Sequence, residues 1–404
     1  MADTEQINPQ VLIWARETAG LSVEEAAEKL GMKDTSRATA AEKLLQYETG
    51  QRAPGQTTLQ KAASVYRRPL IAFYMAQPPK RGDRGEDFRT HSGSVSARDN
   101  GTLDALLRDV KARQQMLRQV LEDEEEARKL PFVGSTSIAR GSKEVAASLR
   151  VVLEVSEEQQ RQNRGPTGLF GLLRSAAERI GVFVLLLGDV GSHHSDIGED
   201  VFRGFALVDD VAPFVVVNDN DAIAARSFTL IHELAHIWLG VSGVSGPLRN
   251  MSGNVIERFC NDVAGEFLLP PDSIPDLSNL TKSNMNVVMS TVERIAAAWN
   301  VSEPAVAYRF ARSGWITSGV ATQLFTMFAD RWRREKQHAR EARRPNESGP
   351  SYYVVRRHRL GSALLGVVRR ALQGETLTHT RAAKILGVSP TSVGPLLLER
   401  PQST

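Results

Sequence analysis

The stretch Arg226-Ser227-Phe228-Thr229-Leu230-Ile231-His232-Glu233-Leu234-Ala235-His236-Ile237-Trp238-Leu239-Gly240 decides how this chain is read. Apolar residues flank both histidines and no glycine or proline intervenes before Gly240, so the spacing predicts a helix with an apolar back face. On a helix, His232 and His236 stand about 40° apart, and both imidazoles can reach a single ion. Glu233 lies about 100° round the axis, beside the ion rather than on it, where a base acting on a water belongs. With 8 histidines in 404 residues, a His-Glu-x-x-His arises by chance about once in a hundred such chains, so the pattern carries weight.

A catalytic zinc ion takes three protein ligands and keeps a fourth position open. The chain has one cysteine, Cys260, which leaves histidine and carboxylate as the ligands. Residues 255–269 are predicted as a second helix with two candidates, Glu257 and Glu266. Asn261 follows Glu257 by four residues on the same face, where its amide can hydrogen-bond a ligating histidine. The same step from Glu266 leads to Pro270, whose side chain cannot. Glu257 is therefore expected as the third ligand and Glu266 as a structural residue. Tyr308, in Val306-Ala307-Tyr308-Arg309, is a candidate oxyanion donor whose plainer role is packing. His193 and His194 are candidate cleft residues whose plainer role is that of solvated loop histidines.

Outward from this helix, 169–180 is predicted helical, 182–187 an apolar β run, and 205–208 and 214–217 two strands. Asn218-Asp219-Asn220-Asp221 forms the turn into the histidine-bearing helix. The strand at 214–217 is expected to bind an extended peptide by strand addition.

Two stretches resemble the ImmA/IrrE metallopeptidase family. One is Val216-Val217-Asn218 through Arg226 to Gly240; the other is Glu257-Arg258-Phe259-Cys260-Asn261-Asp262-Val263-Ala264-Gly265-Glu266-Phe267-Leu268-Leu269-Pro270. The similarity is strong over 165–270 and looser over nearly the whole chain. It implies a minimal gluzincin fold like the thermolysin core, a short sheet packed on the active-site helix and the glutamate helix. It also implies a zinc ion (Zn2+) at His232, His236 and Glu257, with Glu233 as the base. Position 261 is Asn here, as in much of that family, where thermolysin-like enzymes have Asp.

The N-terminal 80 residues read as short helices. Ser22 with Glu25 makes a capping box, and Gly31 ends the helix it opens. Leu21 to Gly31 followed by Tyr47-Glu48-Thr49-Gly50-Gln51-Arg52-Ala53-Pro54 resembles the XRE (Cro/repressor-like) helix-turn-helix family. That resemblance implies DNA contact through residues about 9–66. The segment 32–45 is longer than usual, so the recognition helix is expected to be displaced or extended, with helix formers from Thr35. The module is not basic, so phosphate contacts alone are modest and a homodimer strengthens binding. Two later segments, 292–309 and 378–393, have a similar look, but Gly394-Pro395 is expected to stop the second helix of the last one early.

Net charge is +3 and 24% of residues are charged, which describes an ordinary globular protein rather than a disordered or strongly nucleic-acid-seeking one. A basic run from Arg331 to Arg344, continued at Arg356–Arg370, reads first as a solvated helix face. A single cysteine fits a reducing compartment. Met1-Ala2-Asp3-Thr4-Glu5 lacks the features of a secretory leader, and no apolar run approaches the roughly 20 residues of a membrane span, so a cytoplasmic location is expected.

The expected architecture is α+β and mostly helical. It comprises an XRE-type helix-turn-helix domain at 1–79, a helical linker region with one long helix at 80–164, and the zinc metallopeptidase core at 165–282. A helical substrate-shaping region follows at 283–344 and a small helical, helix-turn-helix-like module at 345–404. Linkers are expected at Pro78-Pro79 with Gly82 and Gly85, and at Pro345 with Gly349-Pro350. By family analogy, the expected function is zinc-dependent cleavage of a regulatory protein, a repressor or antitoxin-like partner, in a stress, phage or mobile-element response. The alternative is a DNA-binding regulator or antitoxin-type protein whose metal site is sensory or weakly active. Glu233 favours the enzyme, because a purely structural site has no use for it.

Overall fold

The structure, a computed structural model, describes residues 7–79, 86–87, 96–191, 195–246, 254–341 and 351–398. His193, His194 and both expected linker glycine–proline clusters (Gly82 and Gly85; Pro345 and Gly349-Pro350) lie outside these residues. The chain divides into two compact units, one of Met1–Arg84 with His91–Asp109 and one of Gly85–Thr90 with Val110–Thr404.

The first unit is built from α1 (Pro9–Thr18), α2 (Val23–Lys29), α3 (Ala40–Glu48), α4 (Gln56–Val65) and the opening turns of α5 (Ala97–Asp123). Side-chain oxygens set the starts. Asn8 caps α1, whose first residue is Pro9, and Ser22 with Glu25 closes the expected capping box on α2. A second capping box, Thr39 with Glu42, opens α3. The recognition helix is thus displaced and not extended. Residues 35–39 form a turn because Thr35 Oγ1 donates to Ala38 O and Asp34 Oδ1 accepts from Ala40 N, local bonds that compete with helix. Leu12, Ala15, Ala26, Leu44, Leu59 and Phe73 fill the core. Beside it, Arg16 grips Glu48 bidentately at 2.7 and 3.0 Å, tying α1 to the end of α3. Gly101 allows α5 to cross the end of α1, since a Cβ there would lie 2.6 Å from the Ala19 carbonyl carbon.

The apolar stripe Leu106, Leu107, Val110, Leu117 and Leu121 predicts the long helix over residues 102–129; α5 begins earlier, at Ala97, and ends earlier, at Asp123. Ser96 Oγ accepts from Asp99 N and starts it early. The acidic run Asp123-Glu124-Glu125-Glu126 sits badly at the negative end of a helix dipole and stops it, with Glu125 left-handed at φ 56°.

In the second unit, β1 (Glu86–Asp87) joins a sheet with β2 (Phe183–Leu186), β3 (Gly204–Leu207), β4 (Phe214–Val217) and β5 (Gly243–Ser245) in the order β1-β5-β3-β4-β2. β2 runs parallel to β4, β3 is antiparallel to both β4 and β5, and β1 lies parallel to β5. Around it stand α6 (Ser142–Leu153), α7 (Glu157–Gln162), α8 (Gly165–Arg179), α9 (Ile223–Leu239), α10 (Val255–Leu268), α11 (Met285–Trp299), α12 (Glu303–Arg312) and α13 (Ser318–Glu341). The fold is α+β and mostly helical. The strand expected to receive a peptide, β4, cannot do so, because β3 and β2 already bond both its edges. Buried residues from Phe132 to Phe328 form one core, so regions expected as linker, peptidase core and substrate-shaping helices share a single hydrophobic interior.

The C-terminal helices are α14 (Tyr352–Leu360), α15 (Ser362–Gln373), α16 (His379–Leu386) and α17 (Pro390–Leu397). Contrary to expectation, α17 continues through Gly394-Pro395. Arg357 donates to the carbonyls of Pro395, Leu396 and Leu398 and so supplies partners at the end that proline weakens. Several arginines of the basic run are likewise structural. Arg331 pairs with Glu293 and Glu303, Arg356 donates to Leu386 O and Gly387 O, and Arg359 bridges Asp189 and Asp219 at 2.7 Å each.

Candidate active site

The helix α9 is buried almost all round from Ser227 to Trp238, as its apolar flanks dictate, and Gly240 ends it in the left-handed conformation at φ 74°. The turn at 132–136 closes its end: Gly134 N donates to Ile237 O and Thr136 N to Trp238 O. A Cβ on Gly240 would lie 3.1 Å from Gly134 Cα, so a glycine on each side permits this approach. α10 packs across α9, opened by Asn254 and anchored by Phe259, Val263 and Phe267. That crossing brings Glu257, in the first turn of α10, to the two histidines.

His232 Nε2 and His236 Nε2 lie 3.2 Å apart; Glu257 Oε1 is 2.9 Å from the latter, and Glu257 Oε2 is 3.4 Å from the former. All three side chains are buried, and they form a group able to hold a metal ion. A four-coordinate ion about 2.0–2.1 Å from each ligand sets tetrahedral neighbours about 3.3–3.4 Å apart, close to the spacings observed. The donor set thus fits a divalent ion. Asn261 stands one turn beyond Glu257 on α10.

Charge in this cluster is strongly coupled. Burial works against a protonated His232, yet the Glu257 carboxylate outweighs it and the His232 pKa is raised. Burial raises Glu257 too, but His232 and His236 bring its carboxyl down to about 2. Glu233 behaves oppositely. Burial pushes it up to about 8, with His232 opposing and Glu257 reinforcing the rise. Among the described residues, no hydrogen bond of ordinary geometry reaches either Glu233 oxygen. A buried carboxylate with free acceptors, next to three converging ligand atoms, is placed to take a proton.

Two residues here have no signal in the sequence. Ser245 Oγ, on the three-residue strand β5, lies 3.0 Å from His232 Nε2. Gly204 on β3 makes room for the base, because a Cβ there would fall 2.7 Å from Glu233 Oε1. The other expected residues lie elsewhere. Tyr308 donates to Asp262 Oδ1 at 2.9 Å and packs edge-on to Phe228, so its hydroxyl proton is already committed and packing is the role it fills. Glu266 pairs with Arg309 at 3.0 Å, a structural contact.

Two histidines and a glutamate from crossing helices, with a second glutamate beside them, define a metallopeptidase-type centre. Residues 178–311 match the family model of the IrrE N-terminal-like domain (Peptidase M78), and residues 12–73 match a helix-turn-helix model. The chain therefore carries an ImmA/IrrE-like peptidase domain behind an N-terminal XRE-type helix-turn-helix domain. The match runs past residue 282, through α11 and most of α12. No curated protein and no solved structure gives a match. No helix among the described residues is long and apolar enough to cross a membrane.

Proposed function

We propose that this chain is a zinc-dependent endopeptidase of the gluzincin type that cuts a regulatory protein in the cytoplasm. The observation that carries this reading is the convergence of His232, His236 and Glu257 at tetrahedral spacing beside Glu233, whose buried oxygens accept no hydrogen bond of ordinary geometry among the described residues. His232, His236 and Glu257 are the ligands, and Asn261, one turn beyond Glu257, is the amide that would orient them. When bound, zinc acidifies a water and polarises the scissile carbonyl. Glu233 takes the proton from the attacking water and passes it to the leaving amine. Near-complete burial of α9 keeps bulk solvent from this exchange. β5, bonded on its edges by β3 and β1, carries a side chain to the triad through Ser245.

The helix-turn-helix module makes a regulatory setting the natural one. It contacts DNA through residues about 9–66, as a homodimer, and the cleaved partner is a repressor or antitoxin-like protein in a stress, phage or mobile-element response. The test is metal analysis together with capture. Protein purified without added zinc should hold about one ion per chain, and the His232→Ala, His236→Ala double variant should hold none. Glu233→Ala should keep the ion, lose cleavage and retain its partner in cells. Cleavage undiminished in Glu233→Ala removes Glu233 as the base.

A further inference from the structure

The short strand β5 places a hydroxyl against the metal centre, on the side where a peptidase needs room. Ser245 is 3% exposed, and its Oγ lies 3.0 Å from His232 Nε2. That nitrogen is the one turned toward His236 Nε2 and Glu257 Oε2, at 3.2 and 3.4 Å. An imidazole nitrogen without a proton has a single lone pair, which serves a hydrogen-bond donor or a metal ion but not both. The hydroxyl therefore stands on the side of His232 from which an ion is held.

The spacing agrees with this placement. Neighbouring ligands of a tetrahedral ion stand about 3.3–3.4 Å apart. At 3.0 Å, Ser245 Oγ comes as near to His232 as the atoms of the triad, at 2.9 to 3.4 Å, come to one another. The base borders the same point. Gly204 is the partner of Ser245 across the ladder, and a Cβ on Gly204 would fall 2.7 Å from Glu233 Oε1. Ser245 thus has the triad on one side and the base on the other, where the attacking water is wanted.

The sheet, rather than a loose loop, sets this position. Arg203 N donates to Ser245 O at 3.0 Å and Val208 N to Ser242 Oγ at 2.8 Å, so both ends of β5 are tied to the flanks of β3. β5 runs antiparallel along Gly204, Phe205 and Ala206, the edge of β3 that lies beside Glu233. An extended peptide that pairs next to the base needs that same edge. Three residues pair β5 to β3 and two pair it to β1, so little backbone bonding opposes its detachment.

We propose that Ser245 is a fourth metal ligand in this folded form, and that β5 has to leave β3 before a peptide can take its place. Three protein ligands leave a position open for hydrolysis, whereas four close the site. The inference rests on the metallopeptidase reading above and adds a latent state to it.

The test uses the full chain loaded with Co2+, whose visible absorption reports its ligands, and titrates it with acetohydroxamate, a small oxygen-donor ligand. A site closed by Ser245 takes up the probe only in the fraction of time that it is open. Ser245→Ala removes the Oγ alone and should bind the probe at least about tenfold more tightly than the parent. Ser245→Cys places a softer thiolate at the same point and should give a sulfur-to-cobalt charge-transfer band. The parent, whose single cysteine is Cys260, should lack that band. Equal probe affinity in the parent and Ser245→Ala, or no new band in Ser245→Cys, overturns the inference and leaves the three-ligand centre standing. A parent chain that takes up no cobalt overturns the metallopeptidase reading as well.

Discussion

Replacing Gly204 by alanine tests the geometry around the base more sharply than removing the base itself. The added Cβ would stand 2.7 Å from Glu233 Oε1, 2.6 Å from Thr229 Cγ2 and 3.0 Å from Val216 O. The strand cannot retreat, because Gly204 is paired with Val217 on one side and Ser245 on the other. To regain ordinary contact at 3.4 Å, the Glu233 carboxylate has to move by about 0.7 Å. Misplacement of a catalytic group by about 1 Å costs on the order of a hundredfold, so kcat should fall about 10- to 100-fold. Overpacking of this kind also destabilises by about 1–3 kcal/mol, visible as a lower melting temperature. The metal content should not change, since the three nearest atoms the Cβ meets belong to Thr229, Glu233 and Val216, none of them a ligand. The assay is single-turnover cleavage of the partner captured by Glu233→Ala, alongside metal analysis and thermal unfolding. Adding Thr229→Ala removes the 2.6 Å contact and should restore stability while kcat stays low. A Gly204→Ala protein with full kcat would show that Gly204 does not govern the position of Glu233.

Asn261→Ala removes the amide one turn beyond Glu257 and should weaken metal binding about 10- to 100-fold in a chelator competition, with the fold intact. Glu48→Ala strands the Arg16 guanidinium, which is 11% exposed. It should destabilise the first unit by about 3–5 kcal/mol, read as an earlier unfolding transition, while metal content is unaffected. An electrophoretic shift with the chain's own promoter should appear at low salt and weaken steeply as salt rises; no shift at low salt refutes DNA contact.

Much of the candidate metal centre was legible in the residues alone. His232, Glu233 and His236 belong to one helix, and Glu257 and Asn261 to another, so their mutual placement within each pair follows from the 3.6-residue period alone. The start of α2 was equally readable, because a capping box is a contact across three residues. The displaced start of α3 was harder. Asp34 and Thr35 offer the backbone a turn, and helix-forming composition over 35–39 does not reveal that competition. Tyr308 looked available as a donor only because its partner Asp262 lies 46 residues away.

The chain on its own dictates the local rules: which helix presents two imidazoles to one side, where a glycine ends it, and which carboxylate stands a turn from an amide. Strand order, the reach of Ser245 to His232 and the space left by Gly204 were decided only when distant segments met. The reason is range. Helical periodicity and capping act over three or four residues, whereas sheet neighbours and close approaches depend on packing between segments tens of residues apart, for which a single sequence holds no repeating signal.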